Sequence, residues 1–283
     1  MKNNIKQFCF PSTAKEAAGL MARLGKAAVV VAGGTRHTRS ISPAVETVID
    51  ISDLPLRHIK ADADGLRIGA LCTISDLEKS PLLAKWAGGV IAKTAGMGSN
   101  ALARGMGTVG GNVVRPHPYN NLPAAFLALD AEAVFTDGRK EDKLPFAEMI
   151  AGADTLLFGH KYLLTELRVP AGTRSWRACA MRLSLTKSSW SSYAQVVAAL
   201  DLRGGTVRKA AVAVSAVLPK AARIAAAERC LVGRPAGELA SREAADAAAA
   251  ALSSLTAGAE SRAYGVRMAG VLVRRALMEA IGS

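Results

Sequence analysis

Residues 27–37 read AAVVVAGGTRH, and residues 105–113 read GMGTVGGNV. Each stretch contains a glycine pair, and in the first the pair follows a run of Ala and Val that is typical of a buried strand. Two successive glycines let neighbouring backbone N–H groups point into one concavity, which suits phosphate. The two stretches therefore predict two loops that face a phosphate or a sugar. Taken alone, the first loop is more simply explained as a plain turn between two elements.

Residues 32–37 lack the GxGxxG spacing of a dinucleotide-binding fingerprint, and GxxxxGK[ST] occurs nowhere in the chain. Kinase and nicotinamide-dehydrogenase functions lose their main support for this reason. Residues 96–111 contain six glycines, which is too many for a helix. This segment is predicted to be a loop whose backbone comes close to a ligand.

The segments around these loops alternate between helix and strand patterns, which predicts an α/β domain. A composition shift near residues 170–177 marks a domain boundary. Beyond it, residues 192–202 and 207–217 predict an antiparallel hairpin, and alanine-rich helices complete an α+β domain. Strands are also predicted over residues 45–51, 66–68 and 133–136, and helices over 14–24, 73–79, 82–95, 122–129, 220–231, 241–255 and 266–280.

The composition of the 283-residue chain is that of a helix-rich globular protein, with 50% hydrophobic and 5% aromatic residues. The 36 Lys and Arg exceed the 23 Asp and Glu by 13, a charge that suits an anionic cofactor, a nucleic acid or an acidic partner. The basic residues form no run and are not interleaved with aromatics, as they are in single-strand binders. Most of the excess charge is therefore expected to be solvated surface.

The cysteines, at positions 9, 72, 179 and 230, lie more than fifty residues apart. This spacing excludes the CxxC pairs of zinc and iron–sulfur sites, and His58, His117 and His160 have no triad spacing either, so no metal is predicted on this chain. The chain's start has no signal-like apolar core, and no apolar run approaches the length of a membrane span. These features predict a cytoplasmic protein with reduced thiols.

Three motifs in order carry a resemblance to a known family. They are AGGT at residues 32–35, MGTVGGN at 106–112, and the segment with Pro118, Leu122 and Pro123 that continues into LALDA at 127–131. Together with SRAY at 261–264 and the helix pattern that follows it, they closely resemble the FAD-binding medium subunit of molybdenum hydroxylases. That family includes the flavin subunit of carbon monoxide dehydrogenase and the flavin domain of xanthine dehydrogenase.

The resemblance implies a vanillyl-alcohol-oxidase-type (PCMH-type) FAD-binding domain over residues 1–172, in two α/β lobes of roughly 1–55 and 56–172. A C-terminal α+β domain with an antiparallel sheet and helices would follow over residues 173–283. It also implies that two loops clasp the FAD pyrophosphate. Their residues are Ala32, Gly33, Gly34, Thr35, Arg36 and His37 in the first loop, and Thr108, Val109, Gly110, Gly111 and Asn112 in the second.

Three further positions follow from the resemblance. Asn121 stands where the family usually has an aspartate, with Asn120 in place of a serine, so a carboxylate is lost but hydrogen bonding is kept. Leu164 lies on a strand similar to the one that packs by the isoalloxazine, and Arg182 stands where a lysine is common. An arginine near the flavin N1–C2 edge would stabilise the anionic reduced ring. A buried strand and a solvated arginine are the plainer interpretations of these last two.

The function that the resemblance implies is electron transfer. Electrons would pass from molybdopterin on a large subunit, through two [2Fe–2S] clusters on a small subunit, to FAD on this chain, and on to NAD, quinone, a carrier protein or O2. The FAD is expected to be noncovalent, the assembly a dimer of heterotrimers, and no catalytic residue is assigned on this chain. Two alternatives are a flavin-less scaffold of the same fold, suggested by Asn120, Asn121, Arg36 and Arg115, and a nucleic-acid-binding protein, suggested by the charge.

Overall fold

The computed structural model describes residues 4–35, 41–115, 117–156, 161–187, 189–257 and 259–282. The first lobe is a three-stranded parallel sheet in the order β1-β3-β2, made of β1 (Gln7–Cys9), β2 (Ala28–Val31) and β3 (Thr47–Asp50). Helix α1 (Ala14–Leu24) packs its buried Ala17, Ala18 and Met21 on this sheet. The predicted helix over 14–24 and the strand before the first glycine pair are confirmed.

The second lobe is a five-stranded antiparallel sheet with helices. Its strands run in the order β4-β5-β8-β6-β7, namely β4 (Ile59–Ala61), β5 (Gly65–Gly69), β8 (Leu163–Pro170), β6 (Glu132–Thr136) and β7 (Glu141–Pro145). Its helices are α2 (Ile74–Lys79), α3 (Pro81–Ala84), α4 (Val90–Gly96), α5 (Ala101–Met106), α6 (Val109–Val113), α7 (Leu122–Ala128) and α8 (Phe146–Leu156).

The C-terminal part is a four-stranded antiparallel sheet covered by two long helices. Its order is β12-β11-β10-β9, with β9 (Arg177–Leu183), β10 (Ala194–Arg203), β11 (Thr206–Ser215) and β12 (Ala222–Arg223). The helices are α9 (Ala225–Arg229), α10 (Glu238–Leu255) and α11 (Ala263–Gly282). The predicted hairpin is confirmed as β10 and β11, and two of the three predicted C-terminal helices are confirmed as α10 and α11.

Three local predictions are wrong. Residues 220–231 are not one helix, because Ala222 and Arg223 pair with β11 before the short α9 begins. Residues 82–95 are broken into separate helices, since Ala87, Gly88 and Gly89 all have positive φ. The glycine-rich segment 96–111 is not a plain loop, because it contains α5 and the start of α6.

The core is continuous between the second lobe and the C-terminal sheet. Helix α7 has all its residues buried and packs on β10 and β11. The main-chain N–H of Ala216 donates to the carbonyl of Pro118 at 2.8 Å, which ties the end of β11 to the turn before α7.

Within the ranges described above, no helix combines the length and apolar character needed to cross a membrane.

Candidate functional site: a cleft between the two glycine loops

The first glycine loop leaves β2 at residue 32 and turns through Gly34, whose φ is 65°. The carbonyl of Ala32 accepts a hydrogen bond from the Ser52 hydroxyl at 3.2 Å, which holds the start of the loop to the chain that leaves β3. In the described part of the chain, the N–H groups of Gly33 and Thr35 have no protein acceptor. The loop therefore presents backbone donors that a ligand could use.

The second glycine loop is the N-terminus of helix α6. Thr108 caps this helix, and its hydroxyl accepts from the Gly111 N–H at 3.1 Å. The Val109 N–H donates to the Cys72 carbonyl and the Gly110 N–H to the Ala70 carbonyl, both at 2.8 Å. Ala70 in turn donates its N–H to the β8 residue Thr165 at 2.9 Å. The second loop is thus fixed to the sheet of the second lobe through its own amides.

The first loop touches the second lobe at Gly33, next to the end of α5. A Cβ atom built on Gly33 would lie 1.7 Å from the Met106 carbonyl oxygen, so no side chain fits there. At Gly111, apart from the adjoining residues and the backbone of its own helix, such an atom would meet only the Thr108 hydroxyl, at 3.1 Å. Gly33 therefore serves the contact between the lobes, whereas Gly111 leaves open space beside the second loop.

A cleft of about 1110 Å³, including its open mouth, lies between the lobes where the loops meet. Its walls are mostly apolar, with few polar groups, as in other cofactor sites. From the sequence-predicted set it is lined by Ala32, Gly33, Gly34, Thr35, Thr108, Gly110, Gly111 and Leu164. The remaining lining residues are Met21, Ala28, Val29, Val30, Ile51, Ala70, Leu71, Val114, Arg115, Tyr162 and Leu163. Met21 belongs to α1, residues 28–30 to β2 and Leu163 to β8, and the others lie on segments that follow β3, β5 and α6 or precede β8.

Four predicted residues do not line the cleft, and two more are not described. Val109 is completely buried, and Asn112, Asn121 and Arg182 do not line the cleft. Arg36 and His37 lie outside the described residues. The structure thus brings together eight of the predicted positions at the cleft, and it gives Asn121 and Arg182 partners elsewhere in the protein.

Arg182 holds the segment of residues 184–192 in the C-terminal part by hydrogen bonds. Its five N–H groups donate to the Met97 carbonyl at 2.8 Å and to four acceptors in residues 184–192. All these acceptors are neutral oxygens, and burial lowers the pKa of Arg182. Because every donor is used, Arg182 would have to release one of these oxygens to bond a flavin.

A charged cluster centres on Glu166 of β8, the strand that also carries the cleft residue Leu164. The buried Glu166 carboxylate accepts hydrogen bonds from Arg168 at 2.6 Å, His58 at 2.9 Å and Arg67 at 3.0 Å. Burial alone would raise the pKa of Glu166, but the hydrogen bonds from Arg168, His58 and Arg67 outweigh it and hold that pKa below its ordinary value. The cluster is an internal ion-pair network that stiffens the strand carrying Leu164.

The Cys72 thiol, on the chain beneath the second loop, donates to the His58 carbonyl at 3.0 Å. Burial raises the pKa of Cys72 to about 11, so the thiol is protonated at neutral pH and unreactive. Among the described residues, no three His, Cys, Asp or Glu side chains gather as metal ligands would.

Residues 105–110 formally spell GxGxxG, the spacing that residues 32–37 lack. The structure places helix α5, which ends at Met106, ahead of the second glycine pair. A dinucleotide-binding fingerprint requires a strand at that position, so the match is formal only.

Comparison with known families gives two matches that together cover most of the chain. The family described as "FAD binding domain in molybdopterin dehydrogenase" matches residues 3–172. The family described as "CO dehydrogenase flavoprotein C-terminal domain" matches residues 180–280. The first match alone covers more than half of the 283 residues.

Similarity to individual proteins points to the same family. The carbon monoxide dehydrogenase medium chain of Hydrogenophaga pseudoflava is 28% identical over 275 residues, 94% of each chain. The beta subunit of caffeine dehydrogenase from a Pseudomonas species is 26% identical and covers 84% of this chain and 81% of its own. The solved carbon monoxide dehydrogenase of H. pseudoflava superposes with a TM-score of 0.86 at 29% identity, over 99% of this chain and 98% of the other.

The predicted architecture, a PCMH-type FAD-binding domain followed by a C-terminal domain with an antiparallel sheet, is therefore confirmed. The residues at the cleft fit FAD, because a Cβ-free surface at Gly111 and the backbone donors of the first loop adjoin an apolar wall. The chain belongs to the family of FAD-binding medium subunits of molybdopterin dehydrogenases, and it is an oxidoreductase subunit whose cofactor is FAD.

Proposed function

We propose that this chain is the electron-transfer subunit of a molybdenum hydroxylase complex. Electrons would reach its FAD from molybdopterin and [2Fe–2S] centres on a large and a small partner subunit, in a dimer of heterotrimers, and leave to NAD, quinone, a carrier protein or O2. The observation that carries the proposal is the cleft itself, where the two glycine loops meet opposite Leu164. The +13 charge also suits an anionic cofactor or an acidic partner surface.

FAD, when bound, supplies reversible one- and two-electron chemistry. The chain's own residues bind and orient it. The Gly33 and Thr35 amides, which have no acceptor among the described residues, would donate to the pyrophosphate oxygens, and Thr108 and Gly111 would form the opposite wall. Leu164 and the apolar residues of β2 would give the bound cofactor an apolar wall.

The FAD is proposed to be held without a covalent bond. Among the described residues that line the cleft there is no His or Cys that could form an attachment. Arg115, exposed at the cleft mouth, adds a positive charge to the anion-binding side. Binding then depends on backbone donors and on apolar contact, and acid denaturation should release the cofactor intact.

The first test is an absorption spectrum of the purified chain between 300 and 600 nm, followed by acid precipitation. We expect two flavin bands and free FAD in the supernatant, at about one FAD per chain. A colourless chain whose thermal midpoint does not move with added FAD would contradict the proposal and favour a flavin-less scaffold, since a bound ligand must stabilise the fold by mass action.

The second test asks whether electrons must pass through the FAD of this chain, as a relay, to reach the external acceptor. The complex is purified with its iron–sulfur and molybdenum subunits, and its FAD is then removed. With the substrate that the large subunit oxidises, we expect iron–sulfur absorbance to bleach while reduction of the external acceptor stops. A complex without this subunit, or without its FAD, that still reduces its acceptor at the full rate would contradict the relay.

A further inference from the structure

One aromatic side chain, that of Tyr162, is found among the described residues that line the cleft. The other apolar lining residues have no ring, and they include Val29 and Val30 of β2 and Leu163 and Leu164 of β8. FAD carries two planar rings, the isoalloxazine and the adenine. Contact between two aromatic rings stabilises a complex beyond the area that it buries, so Tyr162 is the lining residue best suited to recognise a ring.

Tyr162 immediately precedes β8, at the boundary between the two lobes. Leu163 belongs to the apolar core of the first lobe, whereas Leu164 belongs to the core of the second lobe, on which Tyr162 also packs. This is the alternation of side chains expected along a strand, with Tyr162 and Leu164 on one face. The three successive residues therefore line the cleft from both sides of the lobe boundary.

The Tyr162 ring has fixed neighbours within the protein. It is partly buried against the core of the second lobe, and the ammonium group of the exposed Lys161 lies 5.3 Å from the ring centroid. A side chain that the fold already orders loses little further conformational entropy when a ligand binds to it. The ring of Tyr162 is thus a preorganised surface in the cleft rather than a freely rotating surface side chain.

We propose that Tyr162 contacts the cofactor directly and packs its ring against one of the two planar rings of FAD. The aromatic ring makes this contact, and the hydroxyl group is not required for it. Isoalloxazine and adenine offer the same chemistry, a flat π surface, and the measurements below distinguish them. This inference rests on FAD occupying the cleft, as proposed above.

The test compares Tyr162→Leu and Tyr162→Phe with the matched control Phe10→Leu. Phe10 is an aromatic residue of the first lobe that is 69% exposed and does not line the cleft. The FAD dissociation constant of the full chain, first freed of FAD, is measured by fluorescence titration at neutral pH. We expect Tyr162→Leu to weaken FAD about tenfold, and Tyr162→Phe and Phe10→Leu to remain within about twofold of the wild type.

Two results of this titration would overturn the inference. A Tyr162→Leu chain that binds FAD as tightly as Phe10→Leu, with or without a lower thermal midpoint, would show that Tyr162 serves only the fold. A loss in Tyr162→Phe as large as that in Tyr162→Leu would show that the hydroxyl group, and not the ring, makes the contact. If Tyr162→Leu does not fold, Tyr162→Met, which also lacks a ring, takes its place in both comparisons.

The spectrum of bound FAD and competition by ADP identify the ring. Contact with the isoalloxazine predicts that Tyr162→Leu alters the flavin absorption bands and fluorescence of the FAD-saturated chain and leaves the ADP constant unchanged. Contact with the adenine predicts unaltered bands and an ADP constant raised by the same factor as that for FAD, because ADP has the adenine but no isoalloxazine. Weaker FAD binding with neither change would show an indirect effect and overturn the inference.

Failure of this inference is distinguishable from failure of the proposed function. A wild-type chain that binds no FAD overturns both. Wild-type binding that is unchanged in Tyr162→Leu overturns the inference alone, and the electron-transfer role then still stands on the cleft and its glycine loops.

Discussion

The two glycine loops look alike in sequence and differ in structure. In the first loop, the amides of Gly33 and Thr35 have no acceptor among the described residues. In the second, each amide from Val109 to Asn112 donates to a protein oxygen. The first loop therefore offers donors to a ligand, whereas the second offers a rigid wall of small residues. A glycine pair indicates close approach of the backbone, but it does not by itself indicate which groups remain for the ligand.

The difference follows from what precedes each loop. A parallel strand, β2, leads into the first loop and ends there, so the amides that follow it leave the sheet ladder. The second loop begins a helix, and Thr108 also forms a β-bridge with Thr73. Its amides therefore already donate hydrogen bonds to protein oxygens. Variants in the two loops should therefore separate an effect on folding from an effect on binding.

The largest effect is expected at Gly33. Gly33→Ala would place a methyl group 1.7 Å from the Met106 carbonyl oxygen, so the two lobes must move apart. Overpacking of this kind costs about 1–3 kcal/mol, and we expect a thermal midpoint lower by roughly 5 °C in the FAD-free chain together with loss of FAD. Differential scanning calorimetry and flavin content of the purified protein measure both.

The matched control is Gly19→Ala on the exposed face of α1, where the new methyl group meets no atom within 4 Å beyond its chain neighbours and its own helix backbone. Alanine is favoured over glycine inside a helix by about 0.5–1 kcal/mol, so this variant should be slightly more stable and keep its FAD. A Gly33→Ala chain that behaves like Gly19→Ala would show that the lobes are not in contact there.

Gly111→Val should affect binding rather than folding. Its Cβ meets only the Thr108 hydroxyl outside its own helix backbone, and Gly111 itself lines the cleft. We expect the FAD dissociation constant to rise by about tenfold or more, while the thermal midpoint of the FAD-free chain stays close to that of the wild type. Titration with FAD and calorimetry of the FAD-free protein check this. Retention of one FAD per chain would show that the cofactor does not reach this wall.

Much of this architecture could be predicted from the sequence because its signals are local. The strand before the first glycine pair and the hairpin of β10 and β11 follow from short apolar runs and a glycine turn. The resemblance to the family rests on three ordered motifs, and the family comparison confirms it. These features depend on residues that are neighbours in the chain.

The sequence-based predictions failed where contacts between residues far apart in the chain determine the local structure. Arg223 leaves the predicted helix 220–231 because it pairs with Glu228 at 2.7 Å and with Asp130, 93 residues away. The cleft walls come from β2, β8 and the segments after β3, β5 and α6, which meet only after folding, so no single motif marks the cleft as a whole. The helices within 96–111 did leave a signal, since Asn100 and Thr108 are typical N-cap residues, but the glycine count obscured it.

The smallest effect is expected at Thr108, and it tests whether the fixed amides of the second loop matter for binding. Thr108→Ala removes the cap that accepts from Gly111 at 3.1 Å, at a cost of about 1 kcal/mol. Thr13→Ala removes an identical cap from α1, whose hydroxyl accepts from Glu16 at 3.1 Å, but Thr13 does not line the cleft. Both variants should therefore lower the thermal midpoint by a few degrees, as calorimetry of the FAD-free chain would show.

Only Thr108→Ala should also weaken FAD, by about fivefold in a fluorescence titration, because the released Gly111 amide loosens the cleft wall. Thr108→Ser, which keeps the hydroxyl, should restore both values. If Thr13→Ala and Thr108→Ala shift FAD affinity equally, the order of the second loop does not contribute to binding. The first loop, with its unpaired amides at Gly33 and Thr35, would then carry the polar recognition alone.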